Sequence, residues 1–354
     1  MAEKVLMKGN EAIAEAAIKA GCRYFFGYPI TPQNELPEYM SRRLPEVGGV
    51  FLQAESEVAA SNMVYGAAGA GARVLTSSSS PGISLKMEGI SYIAGAELPA
   101  VIVNIMRGGP GLGGIQSSQA DYFQATKGGG HGDFRLCVLA PSTVQEAVDL
   151  TMEAFEIADR YRNPVMVLGD GIIGQMMEPV QFNKEIDPAD LPKKEWATDG
   201  ARGRPRNIIN SLALDPQDLE NHNLVLKAKY EQMKEQEVRY ATYLLDDADR
   251  AIVAYGTTAR IATSAIEMAR EQGIRVGLIR PISLFPFPEK VIAEAANRLD
   301  SFLTVEMSLG QMVEDVRLAV NGKKPVFFYG RTAGMVPSPE EILEQIILMG
   351  GGGE

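Results

Sequence analysis

The stretch ELPAVIVNIMRGGPGLGG, residues 97–114, holds the pattern that decides the fold. Its run Pro99–Met106 is almost wholly apolar, is too short for a buried helix, and ends on a glycine-rich loop. That is the signature of a strand covered on both faces. Outward from it, Arg23–Gly27, Val50–Gln53, Arg73–Ser77, Arg135–Ala140 and Pro164–Gly169 repeat the texture. Between them, Glu11–Ala20, the small-residue stretch ESEVAASNMVYGAAGAGA, Ile83–Gly95 and Thr143–Tyr161 read as helices. Alternation of this kind predicts an α/β domain on a parallel sheet over residues 1–178.

From 179 to 245 the chain turns polar and proline-broken, which predicts a linker with one exposed helix over Asn221–Tyr240. From 246 to 354 strands at Ala251–Tyr255, Arg275–Leu278, Phe302–Glu306 and Pro325–Tyr329 alternate with helices again. The expected fold class is α/β, with two parallel-sheet domains. In such sheets function sits in the loops beyond the strand C-termini.

Composition excludes several functions. The 354 residues carry 45 acidic against 34 basic side chains, a formal charge of -11, so nucleic acid is not an expected partner. No run of 18 or more uncharged apolar residues appears, so no membrane span is expected. The start MAEKVLMKGNEAIAEAA reads as an amphipathic helix and not a signal peptide, which places the chain in the cytoplasm. Cys22 and Cys137 lie in apolar contexts and read as buried thiols. Two cysteines exclude a disulfide framework and any iron–sulfur cluster held by this chain alone. With only His131 and His222, a multi-histidine site is excluded too, and no metal site is expected here.

Two stretches match G-x-G-x-x-G: Gly109–Gly114 and Gly169–Gly174. The pattern means dinucleotide binding only as a strand, a tight turn and a helix facing pyrophosphate. Pro110 interrupts the first, and only QMMEP follows the second, so both are refused. Gly169-Asp170-Gly171 also resembles the opening of a metal-diphosphate motif, but no asparagine stands 25 to 30 residues on. It reads as an acidic strand-end loop.

Four segments begin directly after predicted strands and would converge on one sheet edge. They are YPITP (Tyr28–Pro32), ESE (Glu55–Glu57), SSSSPG (Ser77–Gly82) and MRGGPGLGG (Met106–Gly114). Glu57 opens a helix of small residues, where the positive end of the helix dipole favours a carboxylate.

These segments, with GNEAIAEAAIKAGCRYFFGYPITP, QAESEVAA, GLIRPISLFPFPE and VEMSLGQM, resemble the α subunits of 2-oxoacid:ferredoxin oxidoreductases over almost the whole chain. The resemblance implies a thiamine-diphosphate pyrimidine-binding domain followed by a transketolase C-terminal-like domain. It implies oxidative decarboxylation of a 2-oxoacid with coenzyme A to acyl-CoA and carbon dioxide. Electrons would pass to ferredoxin. The wording YPITPQNELPEY and GGPGLGGIQSSQADYF is most similar to the branched-chain, 2-oxoisovalerate group; 2-oxoglutarate and pyruvate remain alternatives. So do a non-reductive E1-type component and a non-catalytic scaffold subunit.

By matching position, Glu57 would hydrogen-bond N1′ of the aminopyrimidine, which needs a carboxyl group in a dry pocket; Glu55 is its alternative. Thr31 would meet the 2-oxoacid, and Arg107 would pair with its carboxylate. Tyr28, Pro29 and Ile30 would wall the pyrimidine. Gly108, Gly109 and Pro110 would form a mobile or close-approaching substrate loop, and His131 would touch substrate, a partner, or neither. Ser77–Ser80 would line the pocket or cap a helix. The resemblance also implies a β subunit holding the diphosphate, its Mg2+ and a [4Fe-4S] cluster, with γ and ferredoxin-like δ subunits beside it.

Overall fold

In the computed structural model, which describes residues 4–349, strands and helices alternate from the start. The first half runs β1 (Val5–Lys8), α1 (Gly9–Lys19), β2 (Tyr24–Gly27), α2 (Glu35–Glu46), β3 (Val50–Gln53) and α3 (Glu57–Gly69). It continues with β4 (Val74–Ser78), α4 (Ser80–Gly95), β5 (Ala100–Met106), α5 (Tyr122–Thr126) and β6 (Cys137–Leu139). Then come α6 (Val144–Tyr161), β7 (Pro164–Asp170), α7 (Gly171–Gln175) and β8 (Met177–Val180). A largely irregular stretch leads to α8 (Pro216–Gln236) and β9 (Tyr240–Tyr243). The rest is β10 (Arg250–Val253), α9 (Gly256–Glu271), β11 (Val276–Pro281), β12 (Ser283–Phe285), α10 (Glu289–Ala295), β13 (Ser301–Glu306), α11 (Met312–Val320), β14 (Val326–Gly330) and α12 (Pro339–Leu348).

Seven strands form one sheet in the order β12-β6-β7-β5-β4-β2-β3. Six are parallel, and β5 and β7 are buried at every position, as a sheet covered on both faces requires. On one face Ile13, Leu36, Met40 and Phe155 of α1, α2 and α6 pack together. On the other, α3 and α4 lie side by side; a Cβ on Gly89 would stand 2.3 Å from Ser61 Oγ, so only glycine permits this approach. The chain reverses its winding between β2 and β4, which makes the C-terminal ends of those strands the crevice where such sheets bind ligands.

The second sheet has the order β14-β13-β10-β11-β9, parallel except for β9. Its strand ends face those of the first sheet. One continuous core runs through both, from Ile102 and Met166 to Val253 and Phe302. At the junction Gln119 is fully buried. Its Nε2 donates to the Tyr255 carbonyl at 2.9 Å, while Oε1 accepts from Met307 N at 3.0 Å and Thr258 Oγ1 at 3.1 Å.

Three expectations change. The helical start is a strand, β1, paired antiparallel with β8, and the helix begins only at Gly9; residues 1–3 and 350–354 lie outside the described residues. The segment RPISLFPFPE, which falls between the predicted strands and reads as a loop, contains β12, which crosses back to extend the first sheet at β6. The helix predicted as exposed buries one stripe, Leu226, Tyr230 and Met233, against the first sheet's core.

Replacing Gln119 with Leu nearly keeps the volume but strands the Met307 N–H in the core, whereas the Thr258 hydroxyl keeps the Tyr255 carbonyl as its acceptor at 2.8 Å. Stability should fall by about 1–3 kcal/mol, read as a lower denaturation midpoint at unchanged slope. An unchanged midpoint would show that this joint contributes nothing.

Candidate active site

Glu57 is the first residue of α3 and is 6% exposed, whereas Glu55 faces solvent. Ser56 caps the helix, its Oγ accepting from Ala59 N at 3.1 Å, so the Glu57 side chain is free of that task. Among the described residues no donor lies within hydrogen-bond distance of its carboxylate; the other polar contacts of that first turn go to the Val58 carbonyl.

Gly82 of α4 faces it. A Cβ there would stand 2.0 Å from Ser78 Oγ and 2.6 Å from Glu57 Oε1. The glycine therefore makes room for the carboxylate and for the end of β4. The Ser78 and Ser79 hydroxyls are buried without partners, and Ser77 Oγ donates to Gln33 Oε1 at 2.5 Å. The serine run thus does more than cap a helix: Ser78 stands in this corner, and Ser77 holds Gln33.

Ser80 connects the corner to Arg107. Its Oγ accepts from Arg107 N at 3.0 Å and donates to Asp121 Oδ2 at 2.6 Å, to which Asn104 Nδ2 also donates. Burial pushes the Asp121 carboxyl up, and the bonds from Ser80 and Asn104 oppose it. Arg107 itself is 8% exposed. Its guanidinium donates only to backbone carbonyls, Thr31 O and Leu112 O, each at 3.1 Å, and Nε has no partner. No carboxylate among the described residues pairs with it. A buried guanidinium so held keeps donor capacity that no side chain of the described residues uses.

Thr31 lies against Arg107 through that carbonyl, and its hydroxyl accepts weakly from Asn34 Nδ2 at 3.4 Å. The next carbonyl, Pro32 O, is gripped by Asn10 and Gln175, both at 2.9 Å, which anchors the YPITP turn from below. Tyr28 and Pro29 are exposed and Ile30 half-buried, on the rim.

Residues 108–114 close on themselves: Gly108 N donates to Gln116 O and Gly114 N to Gly108 O, both at 2.9 Å. Gly113 has φ +59°, and a Cβ on it would meet Gly108 O at 1.9 Å. The loop is thus tightly folded on its own backbone. His131 does not join the cluster. It is exposed and sits on α4 against Ser91 and the Tyr92 ring, about 16 Å along the helix from Ser80. The GGG before it packs on that helix, with a Gly130 Cβ position 2.8 Å from Met87 O.

Asp170 of Gly169-Asp170-Gly171 ends β7 and caps α7. Its Oδ1 accepts from Ile172 N, Ile173 N and Thr257 Oγ1 at 3.0, 3.2 and 2.9 Å. Burial pushes its carboxyl up, against those bonds. It is a strut between the two sheets. Lys86, which sequence patterning leaves as an ordinary helix residue, is fully buried behind this corner, its Nζ donating to Thr76 Oγ1 at 3.0 Å.

A family model for the thiamine-diphosphate-binding domain of pyruvate flavodoxin/ferredoxin oxidoreductases matches residues 15–243, and one for core domain II of pyruvate:ferredoxin oxidoreductase matches 248–342. The chain belongs to the 2-oxoacid:ferredoxin oxidoreductase family. It is 54% identical over 96% of both chains to the ketoisovalerate oxidoreductase subunit VorB of Methanothermobacter thermautotrophicus. It is 38% identical, over 99% of this chain and all of the other, to the 2-oxoglutarate synthase subunit KorA of the same organism. A solved 2-oxoglutarate:ferredoxin oxidoreductase from Magnetococcus marinus, with 2-oxoglutarate, coenzyme A and succinyl-CoA bound, superposes with a TM-score of 0.86 at 25% identity. It matches 98% of this chain, which spans 65% of that longer one. The relatives are named as subunits, so this family works in multi-subunit assemblies. Among the described residues of this oxidoreductase subunit, no helix is long and apolar enough to cross a membrane.

Gly82→Ala places a methyl group against Glu57 and Ser78 and should lower stability by about 1–3 kcal/mol. Gly66→Ala, on α3 with open space around it, should raise it by up to about 1 kcal/mol. Chemical denaturation of both variants checks the pair; equal shifts would show that the corner is not tightly packed.

Proposed function

We propose that the chain is the α subunit of an enzyme that converts 2-oxoisovalerate and coenzyme A to the branched acyl-CoA and carbon dioxide. The released electron pair passes to ferredoxin. The observation that carries this reading is the pairing of a buried, partnerless carboxylate at Glu57 with a buried, carboxylate-free guanidinium at Arg107, linked through Gly82 and Ser80.

The corner suits an aminopyrimidine. It offers the unpartnered hydroxyl of Ser78, and the missing side chain of Gly82 makes room for the Glu57 carboxylate beside it. Thiamine diphosphate held here would supply the carbon nucleophile and electron sink that decarboxylation needs. Glu57 would then hold or release a proton at the pyrimidine nitrogen beside it. Arg107 receives the 2-oxoacid carboxylate through the edge its backbone contacts leave open, and Thr31 offers a neutral hydroxyl next to it. Tyr28, Pro29 and Ile30 stand on the rim as the wall of the pyrimidine site, with Gly108, Gly109 and Pro110 on the substrate side.

A branched-chain substrate is favoured by the loop's chemistry. Between Arg107 and Lys127 no basic residue occurs, so nothing on that loop would hold the second carboxylate of 2-oxoglutarate, while Leu112 and Ile115 lie exposed at its tip.

The metal and cluster chemistry falls to partners: a β subunit with the diphosphate site, Mg2+ and a [4Fe-4S] cluster, γ and ferredoxin-like δ subunits, and ferredoxin as acceptor. Cys22 and Cys137 support this. Each is fully buried, and burial pushes each thiol up to about 12, far from the thiolate a cluster requires. Asp170 likewise spends its carboxylate on α7 and Thr257. Free buried thiols also fit work in the cytoplasm.

In the assembled enzyme, Glu57→Gln should cut turnover by about 10²-fold or more, while Glu55→Gln stays within about twofold. Near-normal turnover of the Glu57 variant would remove the catalytic assignment. Arg107→Ala should mainly raise KM for the 2-oxoacid, and 2-oxoisovalerate should surpass 2-oxoglutarate and pyruvate in kcat/KM. A preference for 2-oxoglutarate would overturn the substrate assignment.

A further inference from the structure

The loop that follows Arg107 rests on the second domain at both of its stems. Gly108 and Gln116 are those stems, paired by the bond from Gly108 N to Gln116 O at 2.9 Å, with Arg107 bridged to Ser117 beside them. Ser118 and Gln119, which follow, donate to Met307 O at the end of β13. A turn between β14 and α12, Thr332–Met335, meets the stems themselves. A Cβ built on Gly108 would stand 3.6 Å from both Ala333 Cα and Gly334 N. A Cβ built on Gly334 would stand 2.4 Å from Gln116 Cβ and 3.1 Å from its Cγ. The backbone of the turn therefore packs directly on both stems.

The turn is made to hold one shape. Met335 N donates to Thr332 O at 3.1 Å, and the two residues between them have φ +56° and +91°. Positive φ at both central positions is the pattern of a type I′ turn, which favours Gly, Asn or Asp at the first of them. Ala333 stands there instead, and its Cβ disfavours that conformation, so the surroundings must enforce it. They do so from the base. Arg331 N donates to Glu306 O at 3.1 Å, the Arg331 guanidinium pairs with Glu341 of α12, and Glu341 also accepts from Ser338 N at 2.9 Å. A simple connection from β14 to α12 needs neither a strained alanine nor close contact with a loop of the other domain.

We infer that the second domain takes part in selecting the 2-oxoacid: the Thr332–Met335 turn is a backstop that sets where the 108–116 loop stands relative to Arg107, with Gly334 as its positioning residue. This rests on the reading of that loop as the substrate side. The route from turn to guanidinium is short. Gln116 O holds Gly108, Gly108 O holds Gly114 N, and Leu112 O between them accepts from Arg107 Nη2 at 3.1 Å. A shift of the stems moves the acceptor that orients the guanidinium, together with Leu112 and Ile115 at the tip. These groups bind substrate and break none of its bonds, so the effect falls on KM and on side-chain preference.

The test uses the assembled enzyme. Gly334→Ala drives a methyl group into Gln116 and should raise KM for 2-oxoisovalerate about tenfold, with kcat within about twofold and a narrower preference over pyruvate. Gly322→Ala is the control, since it imposes a similar strain at φ +71° with nothing within 4 Å. It should lower the denaturation midpoint to a similar extent and leave KM alone. Gln116→Gly removes the contact from the loop side and should raise KM about threefold or more. The double variant should be no worse than the worse single one, because both act through one contact. An unchanged KM in Gly334→Ala, an equal rise in Gly322→Ala, or single effects that multiply in the double variant would each overturn the proposal. If Gly334→Ala does not assemble, Gln116→Gly decides alone. Arg107→Ala separates the two readings. A raised KM there with Gly334→Ala unmoved counts only against the turn, whereas an unmoved KM there removes the substrate reading of the loop and this inference with it.

Discussion

A buried amide fixes how the two sheets of this protein meet. Gln119 sits at the end of the loop that begins with Arg107, and both ends of its side chain are spent on the second sheet, at Tyr255, Thr258 and Met307. Its backbone repeats the connection, with Gln119 N donating to Met307 O at 2.9 Å and Tyr255 OH to Gln119 O at 3.1 Å. A glutamine with no exposed surface is tolerable only when every polar atom is matched, so the position of one sheet relative to the other is tightly specified. The loop between Arg107 and Gln119 is therefore stretched between two fixed points. Its glycines close it, and the guanidinium takes the orientation that the closed loop imposes. Asp170 makes a second such contact through Thr257, so both joints sit at strand ends and both lie beneath the active-site edge.

Much of this was readable in residue pattern. Short apolar runs alternating with helices specify a covered parallel sheet, and the rule that loops beyond strand C-termini converge is enough to bring YPITP, Glu57, the serines and Arg107 to one sheet edge. The choice of Glu57 over Glu55 followed from placing the first residue of a small-residue helix, and burial separates the two in that sense. What pattern could not supply were interactions that cross between elements. Lys86 sits in the stretch SLKMEG, where a lysine beside a glutamate reads as solvent-facing; only the packing of α4 on α3 takes it inside. Ser283–Phe285 is three residues flanked by prolines, too short for any periodicity, and its partner strand lies some 140 residues earlier. His131 follows a glycine run, and two of those glycines, Gly129 and Gly130, pack against Met87 of α4.

The two helices that flank the pocket share one logic. Each opens at a strand end, each packs on the other through glycine or serine, and the small residues bring their first turns together at Gly82. Bulky side chains there would separate the helices, which explains why this stretch is so poor in large side chains.

Strand β12 has one more consequence, for how the chain can be divided. The matched family models meet between residues 243 and 248, which invites cutting the chain there. Yet Ser283–Phe285, beyond that cut, covers the outer edge of β6. An amino-terminal fragment made on that boundary would present Cys137, Val138 and Leu139 as an uncovered, apolar strand edge, the kind that recruits other chains into unintended sheets. The two halves therefore share custody of one sheet, and neither is a self-sufficient module for grafting, truncation or independent expression.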